Sequence, residues 1–144
     1  MLIVLFLSAT LGCEAREQKA AEALQKCDIG LIDVRIVSLG FTSASLELVF
    51  SITNPNSISV TFDRADYDLY GSEKYLGHGF ISRKVNIPPS ASRTVSSPFE
   101  VLYSDVGKVA WDILRGENVS WKITGKAYIN TPKGEMEVPL ELNL

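Results

Sequence analysis

Three carboxylates stand close together in the stretch FDRADYD: Asp63, Asp66 and Asp68. Clustered carboxylates are the donors that a hard cation such as calcium takes. Asp66 and Asp68, two residues apart, share one face of an extended strand. The spacing and the glycine of a helix–loop–helix calcium loop are missing, so no metal ligand is assigned here. Acids alternating with Tyr67 and Leu69 are what the solvent face of a strand carries, and that is the reading taken.

The other candidates for chemistry are few. His78 is the one histidine of the chain and lies between Gly77 and Gly79. No nucleophile motif stands beside it, so a base–nucleophile pair does not form in the sequence. A structural role is expected, with the flanking glycines letting another backbone approach and His78 bonding to it. Cys13 and Cys27 are the two cysteines. They lack the second ligand pair of a zinc site, and both precede the strand-rich part, which must hold together without a disulfide. Trp121 reads as core, whereas Trp111 lies beside the apolar stripe of a helix and either borders it or is exposed. No catalytic residue and no cofactor-binding residue is assigned, and the chain reads as a protein that is not an enzyme.

These residues must be positioned by strands, because the dominant period from Leu31 onward is two. In SASLELVFSIT, Ala44, Leu46, Leu48, Phe50 and Ile52 fall on one face, while Ser45, Glu47, Ser51 and Thr53 fall on the other. The strand before it, LIDVRIVSL, places Ile32, Val34 and Ile36 together. Asn54-Pro55-Asn56 then stops the chain. Asparagine bonds to nearby backbone and proline fixes φ and removes a donor, so a strand cannot run through. Alternation resumes at Ile58, Val60 and Phe62, then shifts phase near Asp63-Arg64. A β-bulge or a crossing between sheets explains the shift. Turns are expected at YGSEKY, at the Pro-Pro of VNIPPSAS and at NTPKG. Between the later strands, Val106, Val109, Ala110, Ile113 and Leu114 follow helical spacing. One helix is therefore expected near 105–115, with Ser104 as N-cap and Gly116 as a left-handed stop. About seven strands with regular turns predict a mainly β fold, an immunoglobulin or fibronectin type III-like sandwich with that one inserted helix.

Composition agrees. The chain has 144 residues, 46% of them hydrophobic and 22% charged, which suits one folded domain rather than disorder. A net charge of −3 gives no basis for binding nucleic acid. The first residues, MLIVLFLSATLGC, are an apolar run too short to span a bilayer as a helix, which takes about 20 residues. Residues 1–13 are expected to be an export or lipoprotein-like signal, since TLGC resembles a lipobox, with Cys13 as the lipid carrier. Residues 14–28 are rich in good helix formers and are expected to be a helical stalk or linker. Cys27 at its end reads as a passive thiol. The chain would then be exported and associated with a membrane surface through its N-terminus. A cytoplasmic location is the alternative.

The order of the pieces adds a resemblance. A strand ending in NPN, then I-x-V-x-F, YDLYG, LGHG, IPPSASRTVSSPFEVLY and GEMEVPL resembles the water stress and hypersensitive response domain, which defines the type 2 late embryogenesis abundant proteins. It covers Ile29 to Leu144, so residues 29–144 form the expected domain. The residues that carry it are Asn54, Pro55, Asn56, Tyr67, Leu69, Gly71, Gly77, Gly79, Val138 and Pro139. The resemblance implies a fibronectin type III-like sandwich, no enzymatic activity, no cofactor and a link to desiccation stress. Two functions follow as expectations. One is a folded domain that shields membranes or proteins when water is lost. The other is an anchored module that recruits a protein partner of unknown identity.

Overall fold

The computed structural model describes residues 24–116 and 118–144. Seven strands follow in order: β1 (Asp28–Leu39), β2 (Ser43–Thr53), β3 (Val60–Gly71), β4 (Lys74–Ile87), β5 (Ser92–Leu102), β6 (Trp121–Thr131) and β7 (Gly134–Asn143). They make a three-stranded sheet, β1-β2-β5, and a four-stranded sheet, β4-β3-β6-β7, with antiparallel pairing throughout. This is the sandwich that the alternation predicts.

The two inner faces interdigitate as one core. Leu46, Leu48, Phe50 and Ile52 from β2 meet Phe62, Tyr67 and Leu69 from β3 and Ile123, Ala127 and Ile129 from β6. Each fully buried aliphatic side chain of this set contributes up to about 1.5–3 kcal/mol of transfer free energy. The phase shift near Asp63-Arg64 is a bulge within a single strand, since the register of β3 slips between Phe62 and Arg64 against both neighbours. The bulge lets one long strand keep Val60 and Phe62, then Ala65, Tyr67 and Leu69, on the same inner face.

Three expectations are corrected. The helix near 105–115 is two short helices, α1 (Tyr103–Val106) and α2 (Lys108–Arg115). Gly107, at φ 77° and ψ −172°, breaks them apart. Ser104 lies inside α1 and caps nothing, and Gly116 leaves α2 in an extended conformation, not a left-handed one. In β1, Ile32 is 53% exposed and Ile36 is 39% exposed, while Leu31 is buried. Bulges between Leu31 and Asp33 and between Ile36 and Ser38 reset the phase of this edge strand. Of the expected stalk over 14–28, only residues 24–28 are described. Residues 24–27 are not helical, Cys27 is buried in the sandwich core, and Asp28 opens β1. The expected signal over 1–13, with Cys13, lies outside the described residues.

The strands give the sandwich two ends about 35 Å apart, from eleven residues at about 3.3 Å each. The entry near Gln25, the β2–β3 and β4–β5 loops and the β6–β7 turn share one end. The β1–β2 loop, both helices and the β3–β4 turn share the other.

Candidate functional site

At the entry end, Asn54-Pro55-Asn56 forms a polar clamp. Asn54 is fully buried. Its Nδ2 donates to the carbonyls of Ile58 (2.8 Å), Ile87 (3.1 Å) and Pro88 (3.2 Å). Its Oδ1 accepts from the backbone N–H of Asn56 at 3.0 Å and from Asn56 Nδ2 at 3.1 Å. One amide thus satisfies the loose carbonyls where β4 ends, which would otherwise be desolvated without partners. Asn56 works outward. Its Nδ2 donates to the Gln25 carbonyl and its Oδ1 accepts from the Gln25 N–H, both at 2.8 Å. Pro55 between them is exposed and holds the turn.

The glycines expected at the site serve aromatic rings instead of a neighbouring backbone. A Cβ on Gly79 would overlap the ring of Tyr67, and one on Gly77 would stand 3.1 Å from the ring of Phe99. Tyr67 packs edge-on against Phe50, with centroids 5.6 Å apart, and its hydroxyl shares a 2.9 Å hydrogen bond with the buried Ser97. Burial pushes the Tyr67 phenol up. Gly71 lies under Leu76, Ile113 and Trp121, so it seats α2 on the sandwich. Pro139 lies on the edge strand β7, where the missing donor costs no interior ladder bond. These positions are packing positions. The same holds for Cys27, whose thiol burial pushes up and keeps passive.

The carboxylates divide. Asp63 pairs with Arg64 at 2.6 Å, away from the other two. Asp66 and Asp68 share the outer face of β3, and His78 on β4 joins them: Nε2 contacts Asp66 Oδ1, and Nδ1 lies 3.0 Å from Asp68 Oδ1. Tyr75 also donates to Asp68, at 3.3 Å. The hydrogen bond to Asp68 comes first in raising the His78 pKa, with the charges of both acids adding to it. His78 therefore bonds to side chains across the strand pair and not to a backbone. Among the described residues no group of three or more His, Cys, Asp or Glu is arranged to hold a metal ion.

At the far end, the β1–β2 loop and the helices border a cleft of about 420 Å³ that is open to solvent. Gly40, Phe41, Tyr103, Gly107, Lys108 and Trp111 line it. Trp111 is half-buried and meets Tyr103 edge-on, with centroids 5.2 Å apart. Phe41 is fully exposed. Sequence reasoning flagged Trp111 but missed the cleft, because the lining residues come from segments over 60 positions apart. An aromatic residue in the turn-like stretch GFTS was the available signal for Phe41.

Fold and site together define a β-sandwich whose motif residues hold structure together instead of gathering reactive groups. The chain belongs to the late embryogenesis abundant type 2 family: the model of that family, described as late embryogenesis abundant protein, matches residues 49–144. At the family level this sets it among stress-related proteins. An uncharacterised protein of Methanocaldococcus jannaschii is 34% identical over 107 residues. The match covers 72% of this chain and 23% of that protein, so the chain spans about a quarter of the relative's length. Solved structures share the fold. The solution structure of AT1g01470 from Arabidopsis thaliana superposes with a TM-score of 0.70 at 20% identity, covering 84% of this chain and 81% of that one. The solution structure of a putative late embryogenesis abundant protein, At2g46140.1, gives 0.53 at 13% identity, covering 99% and 85%. A crystal structure of an Archaeoglobus fulgidus protein gives 0.56 at 12% identity, covering 80% and 94%.

Proposed function

We propose that this chain is a desiccation-response protein of the water stress and hypersensitive response kind, which works as a folded shield without enzymatic activity. The observation that carries the reading is the outer face of β1-β2-β5. Ser51 stands opposite Thr94 and Thr53 opposite Ser92, with Ser45 and Ser96 on the same face. The Thr53 and Ser92 hydroxyls bond to each other at 2.7 Å. Hydroxyls held in register on a rigid sheet offer hydrogen bonds to a membrane surface or a protein whose water is leaving. The apolar N-terminus and Cys13 would tether the domain to a membrane after export.

A drying assay tests this. Residues 24–144, which keep Gln25 and Cys27, are dried with a labile reporter enzyme and rehydrated, beside an unrelated β-sandwich at equal mass. Greater recovery of reporter activity is expected. Equal recovery rejects the shield.

A second reading, an anchored module that recruits a protein, is favoured by the edge strand β1, where Ile32 and Val37 are 53% and 63% exposed. An exposed apolar edge is a template for strand addition. Substituting lysine at both positions would abolish such pairing and leave drying protection unchanged.

A further inference from the structure

The geometry points to a ligand site in the cleft between the β1–β2 loop and the two helices, fitted to a small aromatic anion. The reading stands apart from the shield function, since it uses the far end of the sandwich and not the hydroxyl face. The space is a cleft open to solvent on one side, and its volume, about 420 Å³, is that of a small-molecule site. Its lining combines three aromatic side chains, Phe41, Tyr103 and Trp111, with Gly40 and with Gly107, where a Cβ would meet nothing within 4 Å. The charged side chain among the lining residues is Lys108, which is exposed at the start of α2. Aromatic walls favour a flat π-system by offset or edge contacts, and a single ammonium selects a negative substituent.

Two features make the site one that is built and open. The Tyr103–Trp111 pair is held at right angles, with ring planes 89° apart, and Arg115 lies over the Trp111 ring at 5.4 Å. Their orientation is therefore set before any ligand arrives. Phe41, by contrast, is 104% exposed at the tip of a short loop. A phenyl ring left wholly in water gains by folding over a bound aromatic. The site also faces away from the chain entry: Gln25 is fastened at the opposite end by Asn56.

The test is an NMR titration of the full chain with naphthalene-2-sulfonate, beside the uncharged 2-naphthalenemethanol. Saturable shifts are expected at the Gly40 and Gly107 amides, with the Asn54 and Asn56 amides unmoved. Lys108→Gln should weaken the sulfonate by about tenfold, the worth of a charge-assisted hydrogen bond, and leave the alcohol unchanged. Phe41→Ala should weaken both probes; because Phe41 makes no buried contact, the variant keeps the native spectrum elsewhere. Shifts that fail to saturate, shifts spread over the whole surface, or equal affinity for both probes would each overturn the assignment.

Discussion

Asn56 grips the backbone of Gln25 with both ends of its side-chain amide, each hydrogen bond 2.8 Å long. The side chain stands in for a neighbouring strand. It extends the sandwich to residues that precede β1, while Asn54 behind it fills the interior of the same corner. The two asparagines therefore carry different shares of stability.

Asn54→Ala should destabilise the domain by about 2–4 kcal/mol, because the carbonyls of Ile87 and Ile58 lose a buried donor. Asn56→Ala should cost about 1 kcal/mol and raise amide hydrogen exchange at residues 25–28 before anything else opens. Urea melts read the first effect and exchange mass spectrometry the second. Equal costs for the two would refute the division.

Glycine tolerance should follow what a Cβ would strike. Gly125→Ala would drive a methyl into the backbone of Asp66 and Tyr67, and Gly79→Ala would drive one into the Tyr67 ring. Both should cost more than about 3 kcal/mol or prevent folding. Gly134→Ala meets nothing within 4 Å and carries only the strain of φ +120°. That strain is worth about 1–3 kcal/mol. Thermal melts of the three variants give the ranking.

His78 gives a pH dependence whose sign is fixed by its partners. Asp68 and Asp66 raise its pKa in the folded state above the ordinary 6.5. A raised histidine stabilises the fold fully below the unfolded pKa and loses that contribution as pH climbs through the folded one. The stability gap between the native chain and His78→Gln should therefore be present at pH 6 and gone by pH 9. The gap is small, since the pair is about half exposed and screened by solvent. In an imidazole NMR titration Asp68→Asn should lower the midpoint more than Asp66→Asn does.

The Tyr103 hydroxyl is buried without a hydrogen-bond partner among the described residues. Removing it relieves a desolvated group and keeps the ring against Trp111. Tyr103→Phe should raise stability by about 1 kcal/mol or leave it unchanged. A loss above that size would show that the hydroxyl has a partner in solution.

Much of the framework was legible along the chain, because alternation in β2 states which face is buried, and Asn54-Pro55-Asn56 states where a strand stops. The bulge in β3 was visible as a broken phase. The edge strand β1 was misread at Ile32, since two bulges slip its register and leave an apolar residue outside, which no local pattern distinguishes from burial. The continuous helix failed at Gly107: helical spacing on both sides masks a break that one residue with positive φ imposes. For His78, the glycines beside it drew attention to backbone, whereas its partners lie on the neighbouring strand.

Sequence alone thus determined the β class, the succession of strands along the chain, the inner face of β2 and the lack of a linear catalytic motif, while the order of strands within each sheet came from the structure. Those properties are local, written in period and turn chemistry. Only the tertiary structure decided that Asn56 holds Gln25, that His78 joins Asp66 and Asp68, and that Phe41 and Trp111 border one open cleft. Each joins groups on separate segments. Register and loop packing bring such groups within bonding distance, and neither is encoded in the spacing of a single strand.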